Sequence, residues 1–520
     1  MNITRILLDR ALQHPDTAAI IDQHRGNTRL CNYQQLADAA GRTAAMFRHY
    51  GLGKGDRVLV FQTMSYELYV VLLALFQLGA VAMFLDPSAG RQHIDQCCEL
   101  GQPRALIASA KAHLLRLFSS QLRRIPVKFS IGFPIPGAVS LAQSDSYIAL
   151  TEISDCTDDD PALLTFTSGS TGRPKAAQRS HGFLLAQHAA LQATLNPQPG
   201  DADLTTLPVF LLANLASGIT SVIPDADMRA PGQIDPVPVV AQIVRHRVNR
   251  TAGSPAFYQC LLEYCAEQNM TLPGLKHIGT GGAPVFPELL RQLQQMAPNA
   301  SVAAVYGSTE AEPMAEIDWQ QISDDDLNAM RKGQGLLTGQ PVGAIALRVI
   351  TDRFGEAIGP FTASELEQQQ LAAGVIGEIV VSGDHVLPGY LHGEGDNDTK
   401  FEVDGQRWHR TGDAGFFDTL GRLWLVGRSH ARIEDSKGVL YPFTVECAAH
   451  FFPQIRRSAM MAWQGKRILL IEADAALDLA ALNQALDWAQ LDDIRRVRSI
   501  PVDRRHNAKI DYTRLQKLLE

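Results

Sequence analysis

Thr165-Phe-Thr-Ser-Gly-Ser-Thr-Gly-Arg-Pro-Lys175 is the stretch on which the reading of this chain turns. It follows the apolar run Ala162-Leu163-Leu164 and interleaves the hydroxyls of Thr167, Ser168, Ser170 and Thr171 with Gly169 and Gly172. Glycine permits positive φ and lets main-chain N–H groups approach a ligand closely. Hydroxyls add donors, and successive N–H groups in such a turn form a concavity that binds anions. Lys175 adds a mobile positive charge. The combination predicts a loop that grips phosphate. It departs from the P-loop pattern, in which Gly-Lys is followed by Ser or Thr opening a helix; here Pro174 precedes the lysine and Ala176 follows it. Ser/Gly/Thr-rich stretches also serve as plain surface turns, so the reading depends on companion motifs elsewhere.

With 520 residues the chain is too long for one core, and two or more domains are expected. Its 46% hydrophobic and 20% charged residues fit an ordinary globular protein, and a net charge of −8 argues against nucleic acid as the main partner. Seven cysteines without CxxC spacing favour a reducing compartment over disulfides or zinc, so a cytoplasmic location is expected. The N-terminus lacks the apolar core of a signal peptide. The most membrane-like segment, Tyr69 to Leu85, is interrupted by Gln77 and Gly79 and falls short of the ~20 residues a span needs. It reads as a buried helix followed by a buried strand, and no transmembrane segment is expected.

Short β-rich runs alternate with helical patterns over the first part of the chain: Arg57 to Phe61, Tyr66 to Leu78, Ala80 to Leu85, Ala105 to Ala108, Leu204 to Leu207, Arg250 to Gly253. Alternation of this kind predicts parallel sheets covered by helices. From about 340 a strand-rich section punctuated by Gly and Asp follows, with Leu347 to Ile350, Gly377 to Ser382 and Leu423 to Val426. After Gly427-Arg428 come a strand (Ile468 to Ile471), a helix (Leu477 to Ala489) and the basic stretch Arg495 to Lys509. The expected fold is α/β: a large N-terminal region, 1–428, of mixed and parallel sheets with helices plus a β-rich subdomain, then a small α+β C-terminal part, 429–520.

Further segments recur in a fixed order: Gly279-Thr-Gly-Gly-Ala-Pro284, Tyr306-Gly-Ser-Thr-Glu310, Thr411-Gly-Asp413, Arg428, and Pro501 to Lys509. Together with 165–175 they resemble the acyl-adenylate-forming superfamily of acyl-CoA synthetases, luciferases and peptide-synthetase adenylation domains. The resemblance implies ATP and Mg²⁺ as cofactors and a mobile lid at 429–520. It implies a phosphate loop at Thr167, Ser168, Gly169, Ser170, Thr171, Gly172 and Lys175, and an adenine-binding turn at Gly281, Gly282, Ala283 and Pro284. In the segment Tyr306, Gly307, Ser308, Thr309 it implies that Tyr306 stacks on adenine and Thr309 bonds phosphate. Glu310 would bind Mg²⁺, since a hard cation wants a carboxylate beside phosphate oxygens. Asp413 would clamp both ribose hydroxyls, with Arg428 also reaching the nucleotide. Lys509 would bridge carboxylate and α-phosphate, and with Glu310 and Thr171 it forms the expected catalytic set. Taken singly, Gly-Gly-Ala-Pro also fits a turn, Asp413 a helix cap and Lys509 a solvated basic face.

The implied reaction is carboxylate plus ATP to acyl-AMP and pyrophosphate. Departures from the common pattern bear on the fate of the adenylate. Leu211 stands where many relatives have a His lining the acyl tunnel. Gly427-Arg-Ser-His-Ala-Arg-Ile-Glu434 replaces the hinge Asp by Ala431 and a following Lys by Glu434, which disfavours the phosphates of CoA. The same departures resemble the olefin-pathway β-lactone synthetases, through Pro208-Val-Phe, Gly253-Ser-Pro-Ala256, Ser429-His-Ala-Arg432, Leu440-Tyr-Pro442 and Arg505-His-Asn-Ala-Lys509. That subgroup implies a 2-alkyl-3-hydroxy fatty acid whose own hydroxyl displaces AMP, and other enzymes of a lipid or olefin pathway as partners. His506 and Asn507 fit either a role beside Lys509 or subgroup packing. Two rivals stand beside this reading: a fatty-acyl-CoA or acyl-AMP ligase that passes the acyl group to a thiol, and a nucleotide-binding scaffold without turnover. Nucleic-acid binding through Arg495 to Arg505 is the weakest reading.

Overall fold

Burial of apolar helix and strand faces organises the chain around several mixed sheets. The computed structural model describes all residues except 25, 86–89, 169–173, 503–509 and 518–520. Gly169, Ser170, Thr171, Gly172, His506, Asn507 and Lys509 therefore lie outside the described residues, and for Thr167 and Ser168 only the backbone is described. The chain divides into two compact units, one of Met1–Asp225 with Asp384–Asn397, the other of Ala226–Gly383 with Asp398–Glu520.

The first unit holds a seven-stranded sheet in the order Val139–Ser140, Val127–Ile131, Ala105–Ser109, Arg57–Phe61, Val81–Phe84, Pro161–Ser168, Pro174–Ser180. Neighbours are parallel except the last pair. The expected helix and strand of 69–85 are present as Tyr66–Gln77 and Val81–Phe84. Every residue from Leu68 to Gln77 is buried, as an all-apolar helix requires. Ser65 starts it by accepting the Leu68 N–H. Four further strands, Asn27–Asn32, Ala18–His24, Thr220–Val222 and Ala202–Thr205, run side by side in this unit. The last of these replaces the expected 204–207, because Pro208 opens the helix Pro208–Ser217.

In the second unit the strands Arg250–Gly253, His277–Gly281 and Ser301–Tyr306 are parallel. Antiparallel strands follow in the order Ala315–Asp318, Leu336–Pro341, Leu423–Arg428, Gln406–Phe417, Gly377–Ser382, Ala346–Ile350. This is the expected change from parallel to antiparallel character. Beyond Arg428 a three-stranded sheet of Ile455–Trp463, Lys466–Ala473 and Asp493–Arg496 packs with the helix Pro442–Ala449. The expected helix over 477–489 is shorter, Leu479–Ala485, and ends in a separate tight turn, Asp487–Ala489.

That C-terminal segment rests on residues 331–335. The Trp488 indole lies against Gly333, whose φ of +85° leaves no room for a Cβ. Arg331 sits 4.6 Å over the Phe451 ring, and the His450 ring stacks on Phe286 with centroids 3.7 Å apart. Among the described residues no helix is long and apolar enough to cross a membrane.

Candidate active site

In the first unit the residues flanking 169–173 are paired strands. Pro161–Ser168 pairs antiparallel with Pro174–Ser180, Ser168 opposite Pro174. The buried Arg179 donates to Thr165 Oγ1 at 2.7 Å and fixes the approach to the loop. The Lys175 side chain has packing partners in this unit. Its ammonium lies 5.5 Å from the Tyr390 ring centroid, a cation–π distance. Its side chain also fills the space where Gly395 lacks a Cβ. Tyr390 is itself placed by a bridge to Ala177 and by its N–H donating to Asp396 Oδ1 at 2.9 Å.

The second unit gathers Tyr306, Asp413 and Arg428 at one place. Asp413 and Arg428 face each other across adjacent strands. The Tyr306 hydroxyl donates to Asp413 Oδ2 at 2.7 Å, and Arg428 Nε meets Asp413 Oδ1 at 3.1 Å. Burial, followed by the charge of Asp413, holds the Tyr306 phenol well above its ordinary pKa, so it remains a donor. Below the cluster, Thr411 Oγ1 donates to Ile379 O at 2.8 Å and accepts from the Asp413 N–H at 3.0 Å, which sets the carboxylate's direction. The strand carrying Asp413 is anchored by Arg410, which is buried against Glu378 at 2.6 Å.

The glycine turn behaves as its composition implies. A Cβ on Gly281 would strike Val305 O at 2.7 Å, so only glycine lets these strands run this close. Gly282, at φ +78°, borders open space where a side chain would otherwise stand. The Ser308 hydroxyl accepts the N–H groups of Glu310 and Ala311, both at 3.2 Å. Ser308 thus builds the turn that presents Thr309 and Glu310.

Three features of this site were not visible in the sequence. His409 and Lys400 are buried in the electrostatic neighbourhood of Glu310. Burial, with Lys400 and Arg428, drives the His409 pKa far down against the pull of Glu310, so the ring is neutral. It donates from Nδ1 to Thr399 O at 3.1 Å, which leaves Nε2 as an acceptor. Trp408, His409 and Arg410 are buried in succession on this strand, so no alternation marks His409 in the sequence. Glu434, read as an open negative charge, is paired with Arg432 at 2.7 Å, and Arg432 also meets Asp352 at 3.1 Å. The charge argument against CoA phosphates is weakened accordingly. Leu211 is fully buried in a hydrophobic cluster with Leu215 and Phe183.

A nucleoside fits the donor and acceptor set. A carboxylate offers about four acceptor positions, and Tyr306 and Arg428 occupy one on each Asp413 oxygen, leaving room for two vicinal hydroxyls. Among the described residues no group of three or more His, Cys, Asp and Glu could hold a metal alone.

The first unit thus supplies paired strands on either side of residues 169–173, and the second a tyrosine–aspartate–arginine cluster. The family described as AMP-binding enzyme matches residues 7–391. The chain is 33% identical to an olefin β-lactone synthetase of Xanthomonas campestris pv. campestris, over 93% of this chain and 90% of that protein. It is 31% identical to an olefin β-lactone synthetase of Stenotrophomonas maltophilia, over 99% of this chain and 97% of that one. The structure of the anthranilate CoA ligase AuaEII in complex with anthranoyl-AMP superposes with a TM-score of 0.82 at 18% identity, covering 100% of this chain and 97% of that one. The chain belongs to the AMP-binding enzyme family and is an acyl-adenylate-forming ligase.

Proposed function

We propose that this enzyme uses ATP and Mg²⁺ to convert a 2-alkyl-3-hydroxy fatty acid to its acyl-AMP, and that the acid's own 3-hydroxyl then closes a β-lactone. The adenylation half rests on the Tyr306–Asp413–Arg428 cluster, whose spare acceptors suit a ribose. The lactone half rests on similarity, over nearly the whole chain, to two β-lactone synthetases.

In the first step a carboxylate oxygen attacks the α-phosphorus, the bond to the β-phosphate oxygen breaks, and pyrophosphate leaves. Both reactants are anions, so the site must neutralise charge that grows on the α-phosphoryl group. Lys175, Thr171 and the N–H groups of the loop take the phosphates, and Lys509 bridges carboxylate and α-phosphate. Glu310 would hold Mg²⁺ together with phosphate oxygens, and the ion would supply electrostatic stabilisation of that charge. Gly281, Gly282, Ala283 and Pro284 offer adenine a flat wall, and Tyr306 stacks on it. Residues 1–428 act as the adenylation domain and 429–520 as the lid that carries Lys509. In the second step the 3-hydroxyl oxygen attacks the acyl carbon, the carbon–oxygen bond to AMP breaks, and the hydroxyl proton passes to solvent. Tethering gives that hydroxyl a high effective concentration, so no external nucleophile is needed.

The rival acceptor, a thiol such as CoA, gains some ground from the pairing of Glu434 with Arg432. Incubation with ATP, Mg²⁺ and a 2-alkyl-3-hydroxy acid should yield AMP and a lactone without CoA; strict dependence on CoA would overturn the lactone half. Acid-dependent ATP–pyrophosphate exchange should fall at least ~100-fold in Lys509→Ala, and unchanged exchange would remove the lysine from the mechanism.

A further inference from the structure

The first unit carries a surface that the proposed reaction does not use. From Leu100 to Ser144 the sequence contains six Lys or Arg residues and no Asp or Glu, in a chain of net charge −8. Arg104 is paired with Asp56. Lys111, Arg116, Arg123, Arg124 and Lys128 make no ion pair with any described residue. The same stretch exposes large apolar side chains: Leu114 is 56% exposed, Leu117 67%, Phe118 65% and Phe133 74%.

Lys111, Arg116 and the four apolar side chains belong to one region. Ala105–Ser109 and Val127–Ile131 are adjacent parallel strands with Ser109 opposite Ile131, so Lys111 and Phe133 leave the sheet at the same end. The two connections touch, because Arg116 Nη1 donates to Pro136 O at 3.4 Å. The tight helical turn Ala112–Leu117 already has an inward face: His113 Nε2 bonds Phe129 O at 3.0 Å, and Leu115 packs on a buried cluster. Leu114 and Leu117, three residues apart and so on one side of a turn of this pitch, point away from that core. Single exposed apolar residues are ordinary, but four of them on two touching connections are not. Exposures above half describe side chains that protrude. Protruding Leu and Phe beside Lys111 and Arg116, two cations without a carboxylate partner among the described residues, suit a bilayer interface, where apolar tips enter the acyl boundary and the cations meet anionic headgroups.

We infer that the surface formed by residues 111–118 and 133 docks this enzyme on an anionic lipid membrane. The inference stands apart from the choice of acyl acceptor and would hold for a thiol ligase as well. For a long-chain acid it has a practical result, since such a substrate partitions into the bilayer on which the enzyme would rest.

The test is co-sedimentation of the full chain with vesicles of equal phosphatidylglycerol and phosphatidylcholine, compared with pure phosphatidylcholine. Binding should be at least about five-fold greater on the anionic vesicles and should weaken at least about three-fold when salt is raised to roughly 0.5 M. Phe118→Ser with Phe133→Ser, and separately Lys111→Glu, should each reduce anionic binding about five-fold or more. Pyrophosphate exchange with a soluble acid should be unchanged in both variants, which shows that they fold. Equal binding to both vesicle types, or full binding by both variants, overturns the inference. So does a wild-type dimer, dissolved by the Phe118/Phe133 variant, in a protein that ignores vesicles; that outcome would assign the patch to self-association.

Discussion

Asp413 and Glu446 are both buried carboxylates of the second unit, and each accepts a hydrogen bond from a tyrosine hydroxyl, at 2.7 Å from Tyr306 and 2.9 Å from Tyr512. Their remaining neighbours differ. Asp413 faces the Arg428 guanidinium. Glu446, on the helix Pro442–Ala449, adds only the Met460 N–H at 2.9 Å, and burial lifts its pKa to about 7. A buried charge is tolerated where an opposite charge is supplied and otherwise gives way to the neutral acid. The first carboxylate is held between a phenol and a guanidinium. The second ties the C-terminal helix Tyr512–Gln516 to the sheet beside it, and this helix begins three residues after Lys509. The main chain adds a second tie there, with Val502 bridged to Ile510 and the Asp511 N–H donating to Pro501 O at 2.9 Å.

The contrast can be tested at each point. Arg410→Ala should have the largest effect, because it strands Glu378 in the protein interior behind the Asp413 strand. A loss of about 3–5 kcal/mol in denaturant unfolding is expected, and a loss below ~1 kcal/mol would show that strand pairing alone seats Asp413. Next comes pH. Glu446 holds its proton up to about pH 7 in the folded chain, whereas the ordinary value is 4.5. The native state therefore binds the extra proton between those values. The stability this contributes is full below about pH 4.5 and is lost as pH rises to 7, on the order of 3 kcal/mol in all. Glu446→Gln should flatten that part of the stability profile, and parallel profiles for the two proteins would remove the distinction between the carboxylates. Asp413→Asn should raise the KM for ATP about 30-fold, as expected for about 2 kcal/mol of lost charge-assisted bonding, with little change in melting temperature. An unaltered KM would take the ribose away from Asp413. The smallest effect belongs to Tyr512→Phe, about 1 kcal/mol of stability by calorimetry; a larger loss would mean that Glu446 depends on this hydroxyl for more than one hydrogen bond.

Much of this was legible in the residues. The shift from parallel to antiparallel sheets follows from alternating apolar runs that give way to Gly- and Asp-punctuated strands, and the Thr411-Gly-Asp413 and Tyr306 motifs come together in space. What escaped depends on pairing at a distance. Glu378 and Arg410 lie 32 residues apart and Glu446 and Tyr512 66 apart, and nothing local marks either as a pair. For Leu211 the helical period adds what motif position does not. Leu211 and Leu215, four residues apart in Pro208–Ser217, share the inward face. Glu434 looked like a free charge because its partner, Arg432, points the same way along the same strand end, a relation that alternation of side chains along a strand foretells.

The seat of Trp488 on Gly333 has a consequence for protein engineering. The indole occupies the volume that any other residue at 333 would claim, and the positive φ there already disfavours a side chain. The C-terminal segment and residues 331–335 are therefore matched parts. A chimaera that imports residues 429–520 from another ligase needs the short stretch 331–335 from the same donor, or the new piece will arrive without a place to rest.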